Sequence, residues 1–172
     1  MKHEATARLV IDVPKARAWE LLQDLSIPHH YVPGLTGSEI TSEKRSGVGA
    51  SRRVYRKSGG YLDETVSSWQ DGVGFVLRLH RGAKGPGMPF SEAQFRYRIE
   101  DAGSGTTALT VSLLCTLRWG AFGRFLYSRL LYRIFRHVVH DIALSAKRYY
   151  ETGEPVSQDA LRQLKLHAKR GA

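Results

Sequence analysis

Glu64 is the residue of this chain best placed for acid–base chemistry, because apolar neighbours flank it at strand spacing. Leu62 and Val66 stand two positions to either side, so if they face inward the carboxylate does too. A buried carboxylate must find partners or give up its charge, and perturbed carboxylates in pockets often bind or catalyse. The opposite phase would put Tyr61, Asp63, Thr65 and Trp69 inside and leave Glu64 in water. The sequence leaves both phases open. In the preceding strand Arg53 and Tyr55 share a face and either offers a polar anchor, while Arg52 and Arg56 take the other. An arginine therefore meets the interior whichever phase holds. Tyr97 stands among apolar neighbours and needs a hydroxyl partner if buried. Glu64, Tyr97 and Arg53 are the candidates for acid–base work on a bound molecule.

The other reactive side chains point to less. His137 and His140 form an i, i+3 pair beside Asp141, but neither a second pair nor an HExxH pattern accompanies them, so no metal site is expected. His80 falls on the polar phase of its strand, and His29 and His30 lie in a loop that could border a cavity mouth. The one cysteine, Cys115, alternates inward as a small core residue and cannot form an internal disulfide. The loop Gly82–Gly87 lacks the GxxxxGK[ST] spacing and precedes a strand, so it suits a lid over a pocket better than a phosphate cradle. No cofactor is expected.

These residues sit on elements that the patterning predicts. Ala5, Ala7, Leu9, Ile11 and Val13 alternate on one face of a first strand over 5–13. Pro14 closes it and opens a helix carrying Ala18, Trp19, Leu21, Leu22 and Leu25. A proline-bounded segment over 26–35 follows, with one further helical turn. Six strand-length pieces, near 37–44, 48–57, 61–70, 73–80, 91–100 and 106–118, are separated by turn signals such as Ser58-Gly59-Gly60 and Asp71-Gly72. Phe75, Leu77 and Leu79, then Ala93, Phe95, Tyr97 and Ile99, then Leu109, Val111, Leu113, Cys115 and Leu117 mark one apolar face of an antiparallel meander. From 123 to 151 the period becomes helical, with Leu126, Leu130, Ile134, Val138, Ile142 and Ala146 in one row and Tyr127, Leu131, Phe135 and Val139 in a second. Such a helix is on the order of 40 Å long. Gly153 and Pro155 stop it. Ser157 could cap a short helix carrying Leu161 and Leu164, before an end expected to fray.

At 172 residues, 42% hydrophobic and 24% charged, the chain suits one domain over 1–151 with a basic tail over 152–172. The N-terminus has no apolar run like that of a secretory signal, and no stretch approaches a membrane span, so a soluble cytoplasmic protein is expected. The net charge of +10 concentrates on the long helix. There Arg118, Arg124, Arg129, Arg133, Arg136, Lys147 and Arg148 interleave with Trp119, Phe122, Phe125, Tyr127 and Tyr132. A cationic, aromatic segment of this kind can lie on an anionic membrane surface, and the plainer reading is a solvated helix face. Charge alone would also attract nucleic acid, for which no motif is present.

The local wording Val13-Pro14 with Ala18-Trp19, Tyr31-Val32-Pro33-Gly34, Gly47-Val48-Gly49-Ala50 and Gly103-Ser104-Gly105-Thr106-Thr107, in this order, resembles the START/Bet v 1-like superfamily. The likeness is to its bacterial polyketide cyclase/dehydrase and lipid-transport branch, and it covers residues 5 to about 151. The resemblance implies an α+β helix-grip fold, in which a seven-stranded antiparallel sheet with two short helices after its first strand wraps a long C-terminal helix. It also implies a cavity, in a superfamily of lipid carriers, cyclases and hydrolases without a shared catalytic motif.

Physical argument reaches the cavity independently, since a strongly curved sheet and one straight helix cannot close-pack everywhere. Its expected lining is Tyr55, Glu64, Phe75, Leu77, Phe95, Tyr97, Val111, Leu113, Leu131, Phe135 and Val139, any of which could instead be ordinary core. The expected function is non-catalytic binding or transport of a hydrophobic small molecule, such as a lipid, isoprenoid or polyketide-like compound. The alternatives are a cyclase/dehydratase using Glu64, Tyr97 or Arg53, and an electrostatic adaptor for membrane or nucleic acid.

Overall fold

The computed structural model describes residues 2–118, 125 and 130–170. The alternating segments become β1 (Lys2–Ile11), β2 (Leu35–Ile40), β3 (Ser51–Arg56), β4 (Tyr61–Gln70), β5 (Gly74–His80), β6 (Phe90–Gly103) and β7 (Thr106–Leu117). They form one antiparallel sheet in the order β1-β7-β6-β5-β4-β3-β2. Short hairpins make the meander from β2 to β7, and β1 closes back on β7. Between β1 and β2 lie helix α1 (Lys15–Leu22) and a single 3-10 turn (Pro28–His30). The long helix α2 (Tyr132–Thr152) and a last helix α3 (Gln158–Arg170) complete the chain. This is the expected helix-grip architecture.

The apolar faces meet as the alternation requires. Phe75, Leu77 and Leu79 of β5, Ala93, Tyr97 and Ile99 of β6, and Leu109 to Leu117 at alternate positions of β7 are buried together. Helix α2 packs on β1 and β7, burying Phe135, Val139, Ile142, Ala143, Ala146 and Tyr150. Small residues Ala5, Ala143 and Ala146 in that contact permit a close approach. Gly153 ends α2 in the left-handed region at φ 75°, its N–H bonded to the Tyr149 carbonyl at 2.7 Å.

The described part of the long helix is 21 residues, about 30 Å, and most of 123–131 lies outside the described residues. Trp119, Phe122, Arg124, Leu126, Tyr127 and Arg129 lie outside the described residues. Two expectations are revised. The first row of α2 divides: Ile142 and Ala146 are buried, whereas Leu130, Ile134 and Val138 are exposed. The tail helix runs to Arg170, into the end expected to fray. Ser157 Oγ accepts the Ala160 N–H at 3.1 Å, Leu161 is buried, and Lys165 Nζ bonds Asp141 Oδ2 at 2.8 Å. Helix α3 is thereby fastened to α2. No described helix is long and apolar enough to cross a membrane.

A bulge in β4 settles the phase question. Val66 pairs with Leu77, but Ser68 pairs with Val76 and Trp69 with Phe75, so Ser67 is an extra residue. Glu64 and Val66 face inward before the bulge and Trp69 faces inward after it. Trp69 stacks on Phe75 at 5.4 Å and meets Trp19 edge-on at 5.1 Å.

Where β5 begins, Gly74 passes so close to β6 that an added Cβ would stand 2.1 Å from the Tyr97 carbonyl oxygen. Gly74→Ala must therefore displace one strand. We expect a loss of about 2 kcal/mol or more, read as a fall of roughly 4–8 °C in Tm by calorimetry.

Candidate functional site

The site grows from one rung of the sheet. Antiparallel pairing across the β3–β4 hairpin sets Arg52 opposite Glu64 and Arg53 opposite Asp63. Successive residues point to opposite faces, so the two arginine–carboxylate pairs lie on opposite sides of the same strands. The inner pair is dry: Arg52 is 3% and Glu64 6% exposed. Arg52 Nε donates to Glu64 Oε2 at 2.6 Å, and Nη1 to the Leu25 carbonyl at 3.3 Å. Burial works against the charge on Arg52, but Glu64, with Tyr31 and Tyr97 nearby, holds the guanidinium above its already high range.

The outer pair is less enclosed, with the Arg53 side chain 34% and the Asp63 side chain 9% exposed. Arg53 donates to both Asp63 oxygens, at 2.8 and 3.2 Å, and lies 4.0 Å over the Tyr61 ring. The hydrogen bond from Arg53 is the main reason that Asp63 titrates below the usual carboxylate range. Tyr55 is 38% exposed and donates to Glu39 Oε1 at 2.6 Å. Arg53 and Tyr55 thus leave the candidate pocket, because alternation sends both outward once Glu64 is inside. The interior arginine is Arg52.

Three buried tyrosines surround the inner pair. Tyr31, Tyr97 and Tyr150 are raised above the ordinary phenol range chiefly by desolvation, which the charge of Arg52 partly offsets. Tyr31 comes from the segment after the 3-10 turn, Tyr97 from β6 and Tyr150 from the end of α2, so three distant parts of the chain converge. Beside them His30 Nδ1 shares a 3.0 Å hydrogen bond with Tyr149 Oη.

In front of Glu64 the sheet and α2 part to leave a cavity of about 590 Å³. Val54, Leu62, Phe95, Val138 and Ile142 form its apolar walls, Val32–Leu35 one rim, and Arg56, Lys57 and Ser58 of the β3–β4 hairpin another. Asp141 of α2 and Gln158 of α3 close the remaining side. Of the expected lining residues, Glu64 and Phe95 border this cavity. Phe75, Leu77, Tyr97, Val111, Leu113, Phe135 and Val139 belong to the buried core beside it, and Leu131 is half-buried against that core. A smaller cavity of about 100 Å³ adjoins it, with His29, Lys57, Gln158 and Leu161 in its wall.

The remaining candidates are dispersed. His80 sits on the outer face, bonded to Thr65 Oγ1 at 2.8 Å and the Gly82 carbonyl at 2.9 Å. The Gly82 N–H bonds Asp63 Oδ2 at 3.1 Å, which ties the loop expected as a lid to the outer face; that loop does not line the 590 Å³ cavity. Burial raises the Cys115 thiol to about 11, as suits an inert core residue. Among the described residues no group of three or more His, Cys, Asp or Glu side chains is arranged to hold a metal.

Comparison with known proteins follows the same lines. The family described as polyketide cyclase / dehydrase and lipid transport matches residues 2–147, so α3 lies beyond the match. A START superfamily protein from Mycobacterium smegmatis superposes with TM-score 0.67 at 14% identity, covering 87% of this chain and 97% of that one. The crystal structure of Ara h 8.0201 gives TM-score 0.62 at 14% identity, over 87% and 98% of the two chains. The protein TTHA0849 from Thermus thermophilus gives 0.62 at 18% identity, over 86% and 97%. At these identities the likeness is one of fold. No curated protein matches the sequence.

Two outcomes follow from the site. Glu64→Gln strands the Arg52 charge and should lower stability by about 3–5 kcal/mol, whereas the double change Arg52→Met with Glu64→Leu should be close to neutral; urea denaturation of the three proteins checks this. The buried tyrosines titrate above the ordinary 10.0 in the fold and near it when unfolded. Their contribution is intact below about pH 10 and is lost as pH rises through the raised values. Tyr97→Phe should therefore lose less stability than the parent between about pH 9 and pH 11 in a denaturation series.

Proposed function

The chain belongs to the polyketide cyclase/dehydrase and lipid transport family of START/Bet v 1-like helix-grip proteins, and on that premise we propose that it binds and carries a hydrophobic small molecule in the cavity between β3–β4 and α2. The carrying observation is a hollow of about 590 Å³ with aliphatic and aromatic walls and a buried ion pair at its back. A mostly apolar cavity of roughly 300–1,000 Å³ with a few placed polar groups is the usual form of a small-molecule site. Lipid, isoprenoid and polyketide-like compounds suit such walls. Glu64 reaches the back of the cavity with its charge already compensated by Arg52, so that wall carries no net charge.

Delivery at an anionic lipid surface fits the outside of the mouth. Leu130, just before α2, and Ile134 and Val138 on it are exposed apolar residues at helical spacing, and Val138 continues the stripe into the cavity. Exposed Arg133 and Arg136 flank the stripe, an arrangement suited to an interface where apolar side chains enter and cations meet headgroups.

One observation favours an enzyme of the cyclase or dehydratase kind as a second reading: the Glu64 carboxylate borders the cavity from a buried position. That reading requires turnover of a polyketide-like substrate that Glu64→Gln abolishes.

Native mass spectrometry of the purified full chain tests the carrier reading. A co-purifying apolar molecule is expected, released on denaturation. Val138→Trp, at the rim where the side chain is already exposed, should weaken uptake of an apolar fluorescent probe by about tenfold or more. Absence of any bound molecule together with unchanged probe affinity in this variant would overturn the reading.

A further inference from the structure

We infer that the guest of the cavity is an amphiphile with a single anionic head, held at the β3–β4 hairpin by Arg56 and Lys57 with its apolar body directed toward Leu62 and Phe95. The inference rests on the cavity being the binding site and adds the chemical class of what enters.

Among the described residues four charged ones line the cavity: Glu64, Asp141, Arg56 and Lys57. Both acids are already matched by cations that do not line it. Glu64 is held by Arg52 at 2.6 Å, and Asp141 by Lys165 of α3 at 2.8 Å. Neither Arg56 nor Lys57 has an ion pair among the described residues. The uncompensated charge of the described lining is therefore positive, and it stands on one rim.

That rim is held in place by backbone bonds. The hairpin closes through the Arg56 N–H to the Gly60 carbonyl at 3.1 Å and the Gly59 N–H to the Arg56 carbonyl at 3.0 Å. The Lys57 N–H bonds the Gly34 carbonyl at 2.9 Å, joining the hairpin to the opposite rim. Lys57 also lines the adjoining smaller cavity. Two cations thus stand over an apolar shaft, which places an anion at the mouth and hydrocarbon below it. A cationic head would face Arg56 and Lys57, and the Asp141 Oδ1, without a hydrogen-bond partner among the described residues, belongs to a carboxylate whose charge Lys165 already balances through Oδ2.

Helix α3 has a specific part in this. By supplying Lys165 it cancels the one lining acid of α2, and it lies beyond the stretch that matches the family. The anion preference accordingly depends on a residue that does not touch the cavity.

The test uses the full chain and a matched series of dodecanoate, dodecyl phosphate, dodecanol and dodecylamine, titrated by displacement of a neutral fluorescent probe at low salt. Dodecanoate or dodecyl phosphate should bind about tenfold tighter than dodecanol, the size that two solvent-screened ion pairs supply, and dodecylamine weakest. The double variant R56Q/K57Q should bring the anions down to the alcohol while leaving alcohol affinity unchanged, which also shows that the cavity remains folded. K165Q, which frees Asp141, should narrow the preference as well. Vesicles of phosphatidylglycerol against phosphatidylcholine distinguish the source of the head: anion preference without vesicles assigns a free amphiphile, and anion-dependent vesicle binding lost in R56Q/K57Q assigns a membrane lipid. Equal affinity across the series, or a preference intact in R56Q/K57Q, overturns the inference and leaves the cavity reading standing. Failure of all four compounds to displace the probe overturns the cavity reading itself.

Discussion

The constraint on which the rest of this molecule turns is that two opposite charges, Arg52 and Glu64, have been placed inside an apolar interior. Desolvating such ions costs several kcal/mol each, and only close geometry with additional hydrogen bonds offsets it. The sheet supplies that geometry by register: the pair is directly cross-strand, and the Leu25 carbonyl takes a further guanidinium proton. A one-residue slip of β3 against β4 would turn the chain's pairing inside out and bury Arg53 or Asp63 without partners. The ion pair and the hairpin register are therefore one constraint. Three tyrosines from separate segments converge on the same point, so the last turn of α2 and the segment after the 3-10 turn are located by it too.

Much of the fold is legible in the residues, and the reason is periodicity. Antiparallel strands with one wet face announce themselves by strict alternation, as Phe75 to Leu79 and Leu109 to Leu117 do, and a helix announces itself by the change of period after them. The phase of β4 is not legible, because alternation is the one rule that a bulge breaks. Glu64 and Trp69 stand five residues apart, so strict alternation puts them on opposite faces, and the extra residue at Ser67 puts both inside. Nothing in the local residue types marks Ser67 as the insertion.

The candidate site was less legible still. Arg53 and Tyr55 were plausible anchors only while the register was unknown. The turn at Ser58-Gly59-Gly60 contained the missing information: counting outward from a hairpin centred there brings Tyr55 to Tyr61 and Arg52 to Glu64, the pairing observed. Phe95 was found from its own strand. Val138 shares its helical row with the buried Ile142 and Ala146 yet is exposed, and row membership alone does not reveal where along the helix the sheet stops covering it. Lys165 had no sequence signal at all, since its role comes from where α3 docks rather than from what surrounds it in the chain.

Geometry also explains why a hollow survives. Helix α2 is drawn close to β1 and β7 by small side chains, and the curved sheet carries β2, β3 and β4 away from it on the far side. The hollow of about 590 Å³ is open at its mouth and carries charged residues on its rim, so it is not a sealed apolar void. Such a space is filled either by water through the mouth or by a guest. Water satisfies the polar rim but leaves Leu62, Phe95 and Ile142 wet, and each square ångström of apolar wall that a guest covers returns roughly 25 cal/mol. The same ion pair that fixes the register thus leaves an interior whose walls favour a guest over water, and the fold gains stability in proportion to how well that guest binds.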